Sequence, residues 1–504
     1  MDAHWQELAN SLPRFGAEIL LVGAFVLLIL SDLILRRPQS PVLPAIALLG
    51  MLMAGVLAAW TGLEGDRSGG YLFHGLLVVD GYGGLFKVLI ALAGALAVVA
   101  SMEYAPLRGH RRGVGEYYAI LIGLVFGLYL LVGATHLVVL YVALELVSLS
   151  SYVLVSYLKD DPRSAEAGFK YLLYGAVSSA FMLYGFSLLY GLTGTLELYA
   201  LPDRLAELDR GPVVALAVLL SLVGFGFKIA AVPFHFWAPD AYEGAPTPVT
   251  AFLAVGPKAA GFAALVRFLL IGLGREELFI RLEATGLLAL LAILTMILGN
   301  LAAIGQVNLK RMLAYSSIAH AGYALMGVVV LGELGLQALI FYLFVYALLT
   351  LGAFWALMTL AELAGSEDVR QWAGLGWSAS LVGVAMTVFM VGLTGLPPTA
   401  GFAGKLLLFS AVWTAYEASG DPWMLALLLV GVLTSVVSLY YYLKAPYYLF
   451  IKSPEAPTPA PVAVSSLSRL ALLVLAVPSA LFSATPLFPW LAERVLQGLG
   501  GAAF

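Results

Sequence analysis

Residues 224–262 read GFGFKIAAVPFHFWAPDAYEGAPTPVTAFLAVGPKAAGF. The stretch is apolar enough for a bilayer, yet it holds Lys228 and Lys258 and a proline at 233. Proline removes a backbone donor and clashes with the preceding turn, so a straight helix cannot run through it. In lipid, broken backbone survives only where protein or trapped water satisfies its polar groups. A charge beside such a break points to an ion path rather than a packing accident.

The rest of the chain supplies the setting. Of 504 residues, 62% are hydrophobic and 11% charged, against about 25% charged in soluble domains. This is the composition of an integral membrane protein. The net charge of −4 carries no nucleic-acid signal. With no cysteine, a disulfide framework, thiolate-held iron–sulfur clusters and a cysteine nucleophile are excluded. The N-terminus, acidic and polar before a run of spanning length, is not read as a secretory signal.

Windows of about 20 apolar residues predict an all-α bundle of about fourteen spans, two of them broken, at 212–243 and 378–418. The turns between spans are short, so no soluble catalytic domain is expected. Around the second break, GLTGLPPTAGFAGKLLLF holds Pro397, Pro398 and Lys405. The second broken span is the fifth after the first, an odd step, so it crosses in the opposite sense, as in an inverted repeat. The expected organisation is a three-helix segment (1–115), repeats at 116–272 and 284–445, and a connector with a last helix (446–504). Residues 452–465, KSPEAPTPAPVAVS, read as an extended connector. Loop lysines and arginines number twelve on the side opposite the termini and seven on the termini's side. Both termini are therefore expected to be non-cytoplasmic.

Four ionisable residues should lie inside the hydrocarbon: Glu145, Lys228, Lys258 and Lys405. Glu145 and Lys258 sit roughly 14 Å into their spans, near the middle of a ~30 Å core. Each should face the interior with a partner or water. One alternative is a set of salt bridges that fixes packing; four such charges, two beside breaks, favour ion transfer. A lysine opposite a carboxylate can gain or lose a proton as that partner moves. Lys228 is the first choice of partner for Glu145, and Lys170 competes with it. His235 and His320 are secondary relay candidates or hydrogen-bonded interior histidines. Asp240 and Glu243 read as capping and loop residues, with proton uptake as the alternative. Lys87, Glu103 and Arg267 read as snorkelling or interfacial charges. Gly256 and Gly261 would leave room for water beside Lys258. Scattered histidines without a His-x3-His pair argue against a metal site.

At these residues the sequence resembles the antiporter-like membrane subunits of respiratory NADH–quinone oxidoreductase (complex I), within them the subunit N type. The resemblance rests on LYVALELVSLSSYVLV around Glu145, FKYLLYGAVSSAFMLYG from Phe169 and FHFWAPDAYEGAPTPVTAFLAVGPKAAGF from Phe234. KRMLAYSSIAHAGYALMG from Lys310 and GLPPTAGFAGK from Gly395 continue it. It implies a carboxylate–lysine pair in Glu145 and Lys228, a central lysine in Lys258 and an exit-side lysine in Lys405. It also implies a bacterial inner-membrane complex, with the bilayer and other membrane and peripheral subunits as partners. No cofactor is expected on this chain; NADH, FMN, iron–sulfur clusters and quinone would belong to partner subunits. The rivals are a subunit of a multi-subunit cation/proton antiporter and a structural membrane subunit.

Overall fold

The computed structural model describes residues 2–35, 39–64, 70–109, 113–208, 212–274, 284–453 and 464–481. Much of the predicted connector and the end of the last predicted span lie outside them. The described residues form a membrane helix bundle. Twelve helices are long and apolar enough to cross a bilayer. The second broken span and a shorter apolar helix, Ser466–Leu481, accompany them.

The N-terminal segment is α1 (Asp2–Arg14), α2 (Gly16–Leu35), α3 (Val42–Glu64) and α4 (Gly81–Glu103). Between α3 and α4 lies a hairpin of β1 (Gly70–Leu72) and β2 (Leu77–Val79), paired antiparallel. The hairpin shortens the predicted third span, whose helix begins at Gly81 rather than 76. Asp80 caps α4 by accepting from the Gly83 N–H, the usual service of an N-cap carboxylate.

Two sets of five elements follow. The first is α5 (Gly115–Gly133), α6 (Leu137–Val155), α7 (Pro162–Thr193), the broken pair α8 (Pro212–Ile229) and α9 (Trp237–Gly244), and α10 (Thr247–Arg267). The second is α11 (Ala284–Ile304), α12 (Leu309–Val330), α13 (Glu333–Ala364), the broken pair α14 (Ser380–Thr394) and α15 (Ala400–Ser419), and α16 (Pro422–Tyr442). Helix α17 (Ser466–Leu481) packs on α13 and α14.

The two sets share details that sequence alone does not display. Helices α7 and α13 are each 32 residues long and end on a left-handed glycine, Gly194 and Gly365, a conformation that costs glycine little. The loop after each returns to the start of the set's second helix. His136, the N-cap of α6, bridges Glu197, and Asn308, the N-cap of α12, bridges Asp368. The Leu137 amide donates to Leu196 and the Leu309 amide to Glu367, at 2.8 and 2.9 Å.

Both breaks leave backbone groups without helical partners, and the protein satisfies them as a low-dielectric interior requires. At the first, the Val232 amide donates to Thr295 Oγ1 (3.0 Å) and Trp237 Nε1 to the Phe227 carbonyl (3.0 Å). At the second, the Thr394 carbonyl accepts from Lys405 Nζ (2.8 Å) and Ser435 Oγ (3.3 Å). Helix α10 lies at the centre, with every residue from Thr247 to Arg267 buried. It packs against α4, α5, α8 and α13.

Two of the three charges expected to snorkel or lie at the interface form buried ion pairs instead. Lys87 meets Glu18 at 2.6 Å, and Arg267 meets Asp80 at 2.6 Å with neither side chain exposed. Arg267 Nε also donates to the Val132 carbonyl (2.7 Å). Depth along a helix is readable from hydropathy; the side of the helix that faces a partner is not. Glu103 is partly buried, with Ser468 Oγ 3.5 Å from its carboxylate.

Candidate functional site

The broken helices and α12 position the charged residues. Lys228 lies in the last turn of α8, and its Nζ donates to Ser148 Oγ on α6 at 3.0 Å. Glu145, one turn away on the same face of α6, forms no ion pair with it among the described residues. Glu145 Oε1 is buried without a hydrogen-bond partner there. Tyr141 lies beside its carboxylate.

The competing partner of Glu145 is engaged elsewhere. Lys170 pairs with Glu166 (2.7 Å) and Asp240 (2.8 Å). Asp240 also meets Arg311 (2.7 Å), and Arg311 meets Glu243 (2.7 Å). Asp240 and Glu243 are therefore neither caps nor free loop charges. Helix α10 begins after Pro246 without a side-chain cap. The two carboxylates tie α9 to α7 on one side and α12 on the other.

The glycines near Lys258 serve packing. A side chain at Gly261 would meet Lys228 Cγ at 3.2 Å, and one at Gly256 would meet the Phe252 ring at 2.9 Å. Gly261 thus lets the stem of Lys228 lie against α10, one turn from Lys258. Neither glycine holds open space for water.

Lys258 faces the second set. Its Nζ donates to the carbonyl and the hydroxyl of Ser317 on α12. The Tyr346 hydroxyl donates to the same Ser317 Oγ at 2.9 Å. One turn along α12, His320 is buried, its Nδ1 2.6 Å from the Tyr342 hydroxyl and its Nε2 2.8 Å from that of Tyr442. The Tyr346 ring lies 5.0 Å from the imidazole. One turn further, Tyr323 has the Lys405 ammonium over its ring at 4.5 Å. Lys405 Nζ also donates to Ser435 Oγ (2.8 Å).

Of the residues singled out in the sequence, Lys258, His320 and Lys405 thus meet along one stripe of α12 through Ser317 and Tyr323, with Tyr346 of α13 packed against it. Lys228 stands beside that stripe, and Glu145 a turn from the partner of Lys228. His235 is buried beside Phe236 with its Nδ1 unpartnered, and no hydrogen bond joins it to the stripe among the described residues. The tyrosines were missed in the sequence. The signal of Tyr323 was present in LAYSSIAHAGYALMG, where Ser316, Ser317, His320 and Tyr323 fall at helical spacing on one side; Tyr342, Tyr346 and Tyr442 come from α13 and α16.

Such an arrangement can pass protons, which hop between lone pairs on fixed side chains and need no wide pore. The fold and this buried polar stripe are those of an antiporter-like membrane subunit. The transmembrane family described as NADH:quinone oxidoreductase/Mrp antiporter matches residues 134–438, and the chain belongs to it. The chain is 41% identical over 507 residues to NADH-quinone oxidoreductase subunit N 2 of Chloroherpeton thalassium, covering 98% of this chain and 97% of that one. It is 45% identical over 452 residues to NADH-quinone oxidoreductase subunit N of Chlorobium chlorochromatii, covering 89% and 86%. Among solved structures it is similar to a chain of respiratory complex I from Thermus thermophilus with bound aureothin. There the TM-score is 0.75 at 35% identity over 96% of this chain and 98% of that one. A chain of the Mrp complex from Dietzia sp. DQ12-45-1b shares the fold alone, at TM-score 0.81 and 23% identity over 98% and 97%.

Proposed function

We propose that this chain is a proton-translocating subunit of the N type in the membrane arm of an NADH–quinone oxidoreductase. Electron transfer from NADH to quinone in partner subunits drives it, and the redox groups reside there. The observation that carries the reading is the buried polar stripe from Lys258 through Ser317 and His320 to Lys405, set between two broken helices. In this reading residues 116–272 and 284–445 are inverted repeats, and both termini lie on the non-cytoplasmic side of the inner membrane. The shared loop returns at His136 and Asn308 support the repeats.

Protons taken up from the cytoplasmic side load Lys228 and then Lys258, and leave past Lys405. Lys228 exchanges between Ser148 and Glu145, which lie one turn apart on α6. Approach to the carboxylate favours the charged amine and departure favours release of its proton. The identity to subunit N relatives along most of the chain weighs against an antiporter subunit, the likeness to the Mrp chain being one of fold. A purely structural role leaves the stripe without a reason, since buried charges are costly and apolar residues pack as well.

Lys258 tests the proposal. Lys258→Met keeps the bulk and removes the titratable amine; Lys258→Arg keeps a charge that cannot be released. Both complexes should assemble, lose proton pumping in reconstituted vesicles and slow quinone reduction with it. Full pumping in both would remove Lys258 from the path, and assembly failure in both would favour the structural role.

A further inference from the structure

A polar cleft of about 680 Å³ opens at the seam between the two sets of helices. Its walls carry Asp161, Glu243, Glu362 and Glu367, with Thr247 and Lys310 also lining it. It lies on the side that the loop charges assign to the cytoplasm. Among its charged lining residues carboxylates outnumber the basic Arg163 and Lys310, and such a recess raises the local concentration of cations and protons.

Lys310 is the unusual member. It is 2% exposed, and its Nζ donates to the Ala245 carbonyl (2.6 Å) and Glu367 Oε1 (3.3 Å). Lys310 and Ser317 are seven residues apart on α12, two turns along one face and about 10 Å in rise. The interval is flanked by the fully buried Tyr242 of α9, whose hydroxyl reaches the Leu253 carbonyl (3.3 Å) and Ser317. Ser317 is the residue that Lys258 holds. The cleft, a buried amine, a phenol and a serine hydroxyl therefore stand in sequence along one line that ends at Lys258.

We propose that this seam is a second proton inlet, distinct from the Lys228 side, that loads Lys258 through Lys310, Tyr242 and Ser317. The inference rests on the proton-translocating reading above. Water in the cleft protonates the Lys310 amine. Water spanning the interval to Tyr242 carries that proton to the phenol, which passes its own to Ser317. Ser317 in turn gives its hydroxyl proton to the neutral Lys258 amine. Each hydroxyl gains one proton and loses one, so only Lys310 and Lys258 change charge.

Two measurements on the whole complex decide it. The chain contains no cysteine, so a single introduced thiol reports access without background on this subunit. A membrane-impermeant maleimide should label Thr247→Cys in the cleft only from the side opposite the termini, with Glu362→Cys at the rim as the accessible control. An unlabelled Thr247→Cys beside a labelled Glu362→Cys would overturn the inlet. In reconstituted vesicles, Lys310→Met and Tyr242→Phe should lower pumping by about threefold, as the loss of one relay hydrogen bond does where the Lys228 inlet stays open, and Lys310→Arg should not restore it. A structural lysine would be replaced adequately by arginine, so full pumping by Lys310→Arg overturns the proposal even if Lys310→Met fails to assemble. Wild-type pumping by Tyr242→Phe and Lys310→Arg beside a dead Lys258→Met sinks the inlet and leaves the role of Lys258 standing. A fully pumping Lys258→Met sinks both.

Discussion

The two five-element sets are built on one frame and equipped differently. Counted from the N-caps His136 and Asn308, the ninth residue of the second helix is Glu145 in one and Ser317 in the other; the twelfth is Ser148 in one and His320 in the other. Three of the four hold a partner. Ser148 holds Lys228, Ser317 holds Lys258, and His320 joins two tyrosines. The first set thus carries a carboxylate near its lysine, and the second surrounds its imidazole with neutral hydroxyls. A carboxylate sets the affinity of an amine for its proton, whereas hydroxyls pass a proton on without storing charge. In the proposed reading the division gives proton capture to the first set and conduction to the second.

The largest contrast expected concerns how the fifth helix of each set is held. Arg267 on α10 is pinned by a fully buried ion pair with Asp80, while Tyr441 on α16 is held by a neutral hydrogen bond to Asn300 Oδ1 (2.9 Å). Arg267→Met leaves the Asp80 charge uncompensated and should cost about 3–5 kcal/mol, enough to deplete the assembled complex. Tyr441→Phe should cost about 1 kcal/mol. Asp80→Asn combined with Arg267→Met should recover much of the loss. Thermal denaturation of the complex in detergent measures all three. Equal losses at the two sites would end the distinction between an ionic and a neutral anchor.

That anchor also marks what the sequence could and could not tell. Breaks beside Pro233 and Pro397, the membrane class and the burial of Lys228, Lys258 and Lys405 all follow from apolar runs, proline chemistry and 1.5 Å of rise per residue. These are properties of position along a helix. The partners of Lys87 and Arg267 are 69 and 187 residues distant, and pairing at that separation depends on which side of each helix turns inward. The same gap in knowledge made Lys170 a competitor for Glu145 when Asp240 holds it. The β-hairpin was hidden because three-residue strands beside an apolar helix extend its hydropathy signal. Along the sequence Lys228 lies five residues before Pro233, whereas Lys405 lies eight beyond Pro397. In space its ammonium returns to the carbonyl of Thr394, the last residue of α14. Both lysines therefore sit at the C-terminal end of the first half-helix, where the backbone dipole favours a cation.

The second contrast tests capture against conduction. Glu145→Gln keeps size and removes charge, so Lys228 loses the group that attracts it. Pumping should fall by about tenfold or more with the complex intact. Ser317→Ala at the matching position should be milder, within about threefold, because Lys258 keeps the Ser317 carbonyl as acceptor and only one hydrogen bond is lost. Proton pumping in vesicles, measured against the NADH oxidation rate, reads both. A larger loss from Ser317→Ala would reverse the roles assigned to the two sets.

The smallest effect expected lies in the loops that close the two frames. Burial lowers the pKa of His136 below its ordinary value, with Glu197 opposing in part. A folded state that resists protonation is most stable above the unfolded pKa of about 6.5 and loses stability as pH falls below it, because the unfolded chain binds the proton more readily. In the neutral form Nδ1 accepts from the Val138 amide (3.3 Å), and protonation abolishes that acceptor. The matching loop has Asn308, which does not titrate, and Asp368, whose pKa is lowered first by its hydrogen bond to Arg370. The contribution of Asp368 is complete above the ordinary aspartate value of about 3.9 and is lost only as pH falls towards the lowered one. Between neutrality and pH of about 5.5, amide protection at Leu137 and Leu198 should therefore drop a few-fold relative to intrinsic exchange. Protection at Leu309 and Val369 should hold. Hydrogen exchange at several pH values, each corrected for its intrinsic rate, measures the difference. His136→Asn should make the first loop behave as the second does. A parallel decline in both loops would mean that acid loosens the frame as a whole, and that the N-cap residue does not set the response.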